Sequence, residues 1–338
     1  MSPSLQFVLP TSDLHGGIRL PLEIAEWLTD YGWTTRLVGP GSRPDWHNTA
    51  VPWFSHDLEG AQPLPRADIT IATFYTTVEP ALRSGSGHVF HLCQGFEGLH
   101  PEYEGIRDAI DAAYRAPIPK LVVSQHLEPI LTARYPGTRC HFIGEAVDSR
   151  IFFPLGIRNV ASPLRVGLVG AFSAHVKGIP AGLEGVRQAR SKGLEIEVHR
   201  ASADPMTEEE KRLGQTDHFH HRLPTKEMPA FYGGVDALLF PSSAEEGFGL
   251  PVLEALSCGV PVAHSDIPSL EVIPAKATLR FPPGDAKAIA HALGRLAADS
   301  DLRRFLRRAG LETVHEFHPQ ALVARLQQAF ADEGCLTV

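Results

Sequence analysis

The chain has few cysteines, and none of them are closely spaced: Cys93, Cys140, Cys258 and Cys335 stand far apart, with no CxxC. This pattern suggests neither a disulfide framework nor a cysteine-based zinc site, and it fits thiols kept reduced in a cytoplasm. There is no basic excess either. The formal net charge is -8, which argues against nucleic acid as the main partner, because a phosphate-backbone binder carries surplus Lys and Arg. No apolar run approaches the ~20 residues that span a bilayer, and the start, MSPSLQFVLPTSD, lacks the basic and long apolar regions of a signal peptide. The expectation is a soluble cytoplasmic protein with at most peripheral contact at the inner face of the membrane, since no long basic amphipathic helix stands out. No Asp-x-Asp closes an expected strand, so one common arrangement for holding a divalent cation is missing.

What is present is globular. A chain of 338 residues with 43% hydrophobic and 21% charged residues is long for one core, so two domains are expected. Short apolar runs at 5–9, 34–38, 67–73, 89–93 and 120–124 read as strands. Helical patterns at 20–31, 106–113 and 127–133 fall between some of them. Strands alternating with helices imply a parallel α/β sheet. Residues 136–163 are rich in Pro, Gly and turn formers and read as a linker. Fresh strands at 165–169, 195–200, 237–240 and 260–263 then open a second unit of the same kind. Near the C-terminus, residues 317–331 form an amphipathic pattern with Leu322, Leu326 and Phe330 on one face.

The most informative stretch is LLFPSSAEEGFGLPVLEALSCGVPVAHSD, residues 238–266. It reads as a buried strand, a glycine-bearing loop with Glu246, a helix carrying Glu254 eight positions on, and another buried strand. Pro251 suits the first helical turn, where its missing N–H would have no partner, and Gly259 ends the helix. A loop entering a helix offers unpaired N–H groups and a positive dipole end, which suits a phosphate. Carboxylates on either side can bond sugar or ribose hydroxyls, so the combination points to a nucleotide-sugar.

Glu246-Gly247-Phe248-Gly249-Leu250-Pro251-Val252-Leu253-Glu254-Ala255 closely resembles the donor-site signature of the retaining glycosyltransferases called family 4. The resemblance implies the α/β GT-B fold: two doubly wound Rossmann-like domains facing each other across a cleft. It sets an acceptor-side domain at 1–155, a donor-binding domain at 156–316, and a helix at 317–338 returning to the first. The segment Phe142-Ile143-Gly144-Glu145-Ala146-Val147-Asp148, followed by Phe152 or Phe153 and Pro154, is similar to the family's PNGVDxxxFxP, with Glu145-Ala146 in place of Asn-Gly. Val169-Gly170-Ala171-Phe172-Ser173-Ala174-His175-Val176-Lys177-Gly178 resembles its VGR…KG segment, which implies phosphate contact for Lys177. Many relatives have Arg where Ala171 stands, so Arg200 or Arg222 is expected to supply the missing charge, failing which donor binding is weak.

By the same resemblance, Arg222 and Leu223 stand where relatives bind the base. Gly16 and Gly17 belong to a first loop, Asp13-Leu14-His15-Gly16-Gly17, that approaches acceptor and donor phosphate. Gln94 and Glu97, after the fourth strand, are acceptor-side groups, and the sequence around them is similar to bacterial surface-polysaccharide rhamnosyltransferases. His218, His220 and His221 invite a metal reading, but no carboxylate or cysteine at ligand spacing joins them, so no metal site is expected and they read as surface or cleft-lining residues. The resemblance thus implies transfer of a sugar from a nucleoside diphosphate sugar to a glycan or lipid-linked acceptor, with no cofactor. Lys177 and Glu246 would be catalytic, and Gly247, Phe248, Gly249, Leu250 and Glu254 donor-binding. A nucleotide-sugar or glycan-binding protein without turnover, and a GT-B nucleotide-sugar epimerase, remain alternatives.

Overall fold

The computed structural model describes residues 3–14, 16–156 and 162–336. The chain divides into two units, Met1–Glu145 together with Pro319–Val338, and Ala146–His318. The sequence placed these divisions at 155/156 and 316/317.

In the first unit, strands β1 (Ser4–Val8), β2 (Thr34–Gly39), β3 (Trp53–Ser55), β4 (Ile69–Ala72), β5 (His88–Cys93), β6 (Lys120–Val122) and β7 (Cys140–Phe142) form one sheet in the order β3-β2-β1-β4-β5-β6-β7. All its pairings among the described residues are parallel. Helices α1 (Gly16–Asp30), α2 (Tyr75–Arg83), α3 (Arg107–Arg115) and α4 (Leu127–Arg134) lie between strands in sequence. Strands covered on both faces need continuous apolar runs, and all of Ile69–Ala72 is buried. The C-terminal helix Pro319–Asp332 belongs to this unit. Phe330 on it is fully buried, with its ring 5.6 Å from Trp33 and 5.2 Å from Phe90. Burying one such ring contributes roughly 1.5–3 kcal/mol.

The second unit repeats the plan with β8 (Leu164–Val169), β9 (Ile196–Ser202), β10 (His218–His221), β11 (Ala237–Phe240), β12 (Val262–Ser265) and β13 (Leu279–Phe281) in the order β10-β9-β8-β11-β12-β13. Its helices are α5 (Ile179–Ser191), α6 (Glu208–Leu213), α7 (Met228–Gly234), α8 (Leu250–Ser257), α9 (Ala286–Ala298) and α10 (Ser300–Val314). Leu183, Val186, Ile289 and Leu293 close one face of the core. The strand order reverses between β8 and β11 in this sheet and between β1 and β4 in the first. In open parallel sheets, ligands bind beyond the carboxyl ends of the strands at that reversal.

Several expectations need correction. β3, β7 and β13, each three residues long, were not anticipated. β7 also lies inside the stretch read as linker, and residues 157–161 of that stretch lie outside the described residues. Gly16 and Gly17 open α1 rather than preceding it, and His15 lies outside the described residues. β12 starts at Val262, after Pro261, which has no N–H to donate to a ladder. Among the described residues, no helix is long and apolar enough to cross a membrane.

Candidate functional site

Two loops meet beyond the carboxyl ends of β8 and β11. The first runs from Gly170 through a short 3-10 turn, His175–Lys177, to Gly178 and α5. Gly178 has φ 57°, and a Cβ there would lie 2.0 Å from the Pro241 carbonyl oxygen. Only glycine allows that backbone approach. The second loop is held beside it by a hydrogen bond from the Ser243 amide to the Val176 carbonyl, 2.9 Å. Lys177 and Glu246 are thereby brought together: Nζ lies 3.0 Å from Oε1 and 2.9 Å from Oε2. Ser242 Oγ donates to Oε2 at 3.0 Å. Glu246 is 8% exposed, while 29% of the Lys177 side chain remains accessible.

Gly249, at φ 108°, turns the second loop into α8; a Cβ there would sit 2.9 Å from the Phe240 ring. Phe240 is itself buried. No side chain caps α8, and the first amides of a helix have no intrahelical partner. The Phe248 ring is buried, with its centroid 6.0 Å from that of Phe317. That leaves backbone rather than side chain to meet a ligand at this position. Gly247 is buried and Leu250 half-buried.

Glu254 is not the open carboxylate that the sequence suggested. It is 1% exposed, and Tyr232 of α7 donates a 2.6 Å hydrogen bond to its Oε2. Phe152, the buried member of the Phe152–Phe153 pair, packs its ring 6.3 Å from Tyr232 and accepts a hydrogen bond from Ser257 Oγ on α8. Tyr232 and Ser242 were missed from sequence. One lies 22 positions from its partner, and the other looked like part of a strand stop.

Arg200 was a candidate replacement for the arginine absent at Ala171; this is corrected. Its side chain is fully buried, with Nε 2.8 Å from Glu210 Oε1, Nη1 donating to the Leu168 carbonyl and Nη2 to the Gly170 carbonyl. It holds the end of β8 in place and is not exposed to a ligand. Arg222 is exposed, at φ 55°, a left-handed conformation uncommon for a residue with a Cβ. Its amide donates to the Ser202 carbonyl at 2.8 Å, and Leu223 beside it is half-buried.

The expectation that no carboxylate joins the histidines is also corrected. Parallel pairing of β9 and β10 places His218 opposite His199. Glu197 Oε1 is 2.7 Å from His199 Nε2 and 3.4 Å from His218 Nε2. The spacing within 218–221 could not reveal partners contributed by the neighbouring strand.

In the first unit, Gln94 Nε2 donates to the Gly17 carbonyl at 2.8 Å, tying the loop after β5 to the start of α1. Tyr114 donates a 2.5 Å hydrogen bond to Glu97 Oε2. Burial raises the Glu97 carboxyl above its usual range, opposed by that hydrogen bond. His91 is fully buried against Tyr114, ring centroids 4.8 Å apart, so it presents nothing to a ligand.

The two-sheet architecture is the GT-B fold. It is similar over 99% of this chain and 100% of the other to sucrose-phosphate synthase from Thermosynechococcus elongatus, with a TM-score of 0.80 at 17% identity. It is also similar to Anabaena Alr3699/HepE in complex with UDP-glucose, with a TM-score of 0.74 at 13% identity over 98% and 100% of the two chains. Residues 163–299 match the family model described as "Glycosyl transferases group 1". Within curated proteins, the chain is 41% identical over 96 residues to the O-antigen chain mannosyltransferase B of Escherichia coli, covering 28% of this chain and 25% of that protein. It is 36% identical over 97 residues to the D-inositol 3-phosphate glycosyltransferase of Corynebacterium urealyticum, covering 28% and 23%. The chain thus spans about a quarter of the length of these curated relatives.

Proposed function

We propose that this protein is a retaining glycosyltransferase of the family-4 type, moving a hexose from a nucleoside diphosphate sugar to a glycan or lipid-linked acceptor. The observation that carries this reading is the Lys177–Glu246 pair, set beside the uncapped start of α8 at the strand-order reversal of the second sheet. In the reaction, Lys177, the amides of Phe248 to Leu250 and the α8 dipole would stabilise the leaving diphosphate as charge builds on it. Glu246 would hold hydroxyls of the transferred sugar, and the donor phosphate would draw Lys177 away from it. With no enzymatic nucleophile assigned, the acceptor would attack on the face the diphosphate leaves, and that phosphate would take its proton. With Arg200 engaged in the core, Arg222 is the arginine open to serve the diphosphate, with Leu223 near the base. The first unit would receive the acceptor, with Gln94 and Glu97 as its polar groups.

The first test is thermal stabilisation by a panel of nucleoside diphosphates, since a ligand above its Kd stabilises the folded state and so identifies the base. Release of free sugar or transfer to acceptors should follow with the matching donor. Binding with neither hydrolysis nor transfer across a broad acceptor panel would favour a binding protein, and inversion at the donor's own carbons would favour an epimerase.

Glu254 would hold the donor's ribose, and Glu254→Gln, which keeps an acceptor for Tyr232, is the best test of that role. A lost charged hydrogen bond is worth roughly 1.5–3 kcal/mol, so calorimetry should find nucleoside diphosphate affinity reduced by about tenfold or more. Unchanged affinity with a normal fold would remove Glu254 from the ribose.

Transfer should also persist in EDTA, because Lys177 and a helix terminus take the place of a cation on the diphosphate. Complete loss of turnover, restored by added metal, would contradict this mechanism.

A further inference from the structure

The open edge of the second sheet carries a cluster that the donor chemistry does not use. Glu197 and His199 alternate along β9 and so share a face, and the pairing of β10 sets His218 directly beside His199. One ligand atom from each of the three lies within 4.8 Å of the others. The His199 and His218 rings stack with centroids 4.5 Å apart, and the His220 ring is stacked 5.8 Å from His199. All three donors are reachable from water, at 28%, 16% and 52% side-chain exposure for Glu197, His199 and His218.

We propose that Glu197, His199 and His218 form a site for a divalent transition cation of the Zn2+ class, which pins the edge strand β10 to β9. Two imidazoles and one carboxylate are a donor set that Zn2+ takes with water as the fourth ligand. Tetrahedral bonds of ~2.0–2.1 Å place donor atoms about 3.4 Å apart. The Glu197–His218 separation of 3.4 Å already fits, and the Glu197–His199 separation of 2.7 Å must open by about 0.7 Å. Arg165 on β8 is the competitor, with Nε 3.6 Å from the same Glu197 oxygen, and the cation must displace it. Glu197 and His218 stand at the N-terminal ends of their strands and His199 at the middle of β9, whereas Lys177 and Glu246 lie beyond the carboxyl ends of β8 and β11. The cation would therefore act on the stability of the edge and not on the proposed transfer.

The test is calorimetric titration of the metal-stripped full chain with Zn2+. Wild type should bind one equivalent at this site, and His218→Ala should weaken that binding by at least about tenfold, since even outer-shell partners cost that much. Glu197→Gln should do the same. His218 is half exposed, so its replacement leaves the core intact, while His315→Ala, an exposed histidine elsewhere, should bind as wild type does. Zn2+ should raise Tm in wild type and not in His218→Ala. No measurable Zn2+ binding, or equal binding in wild type, His218→Ala and Glu197→Gln, would overturn the proposal.

Discussion

Replacing Lys177 with alanine should lower kcat by about a hundredfold or more, with the affinity for a bare nucleoside diphosphate much less affected. The ammonium is proposed to sit where negative charge grows as the glycosidic bond breaks, so its interaction would strengthen in the transition state. Removing one preorganised electrostatic partner of this kind costs about 10²–10³ in kcat. Glu246 offers the complementary case. A bare nucleoside diphosphate lacks the sugar that Glu246 is proposed to hold, so Glu246→Ala should lower turnover and leave diphosphate affinity nearly unchanged. Because the two side chains neutralise each other in the donor-free protein, each variant leaves its partner without a counter-charge. Unfolding curves should therefore accompany the kinetics, to separate lost chemistry from lost fold. If both variants turn over at near wild-type kcat, the donor does not lie at this site.

Arg200→Ala should destabilise the protein by about 3–5 kcal/mol, the usual consequence of leaving one member of a buried ion pair behind. Glu210 is 1% exposed and would lose its cation, and the Leu168 and Gly170 carbonyls would each lose a donor. Urea unfolding measures this directly. The double change Arg200→Met with Glu210→Leu should recover much of the loss, because an apolar pair of similar volume avoids both desolvation costs. Arg222→Ala is the contrasting variant: the side chain is exposed, so its stability should barely change, while KM for the donor should rise. A loss under about 1 kcal/mol in Arg200→Ala would show that the buried network does not support the end of β8 in the way described.

The parts of the molecule legible in the sequence were those encoded locally. The run that became β11 is continuous and apolar because both faces of a parallel strand are covered, while β1, β2 and β8 were legible from shorter apolar stretches beside Gln6, Arg36 and Arg165. The loop from Glu246 to Leu250 was legible because its glycine, proline and carboxylate positions lie within a few residues of one another. Partnerships across long sequence separations were not. That Lys177 would pair with Glu246 was not anticipated, since the two loops meet only when β8 and β11 become neighbours, 69 residues apart. The same holds for Tyr232 with Glu254 and for Glu197 with His218. Whether an arginine points to solvent or into the core is set by the next element's Glu210 and by two carbonyls, and no local pattern at Arg200 records that.

The helix that buries Phe330 between Trp33 and Phe90 reverses the order in which the two units become complete. Ala146–His318 is one uninterrupted stretch, so every residue of the second unit has left the ribosome before the first unit receives its last helix. The sheet translated first must wait, with part of its apolar surface uncovered, for the segment translated last. Domain dissection inherits the same asymmetry. The second unit can be cut out as a single piece of gene, whereas the first can be isolated only by joining its two distant ends.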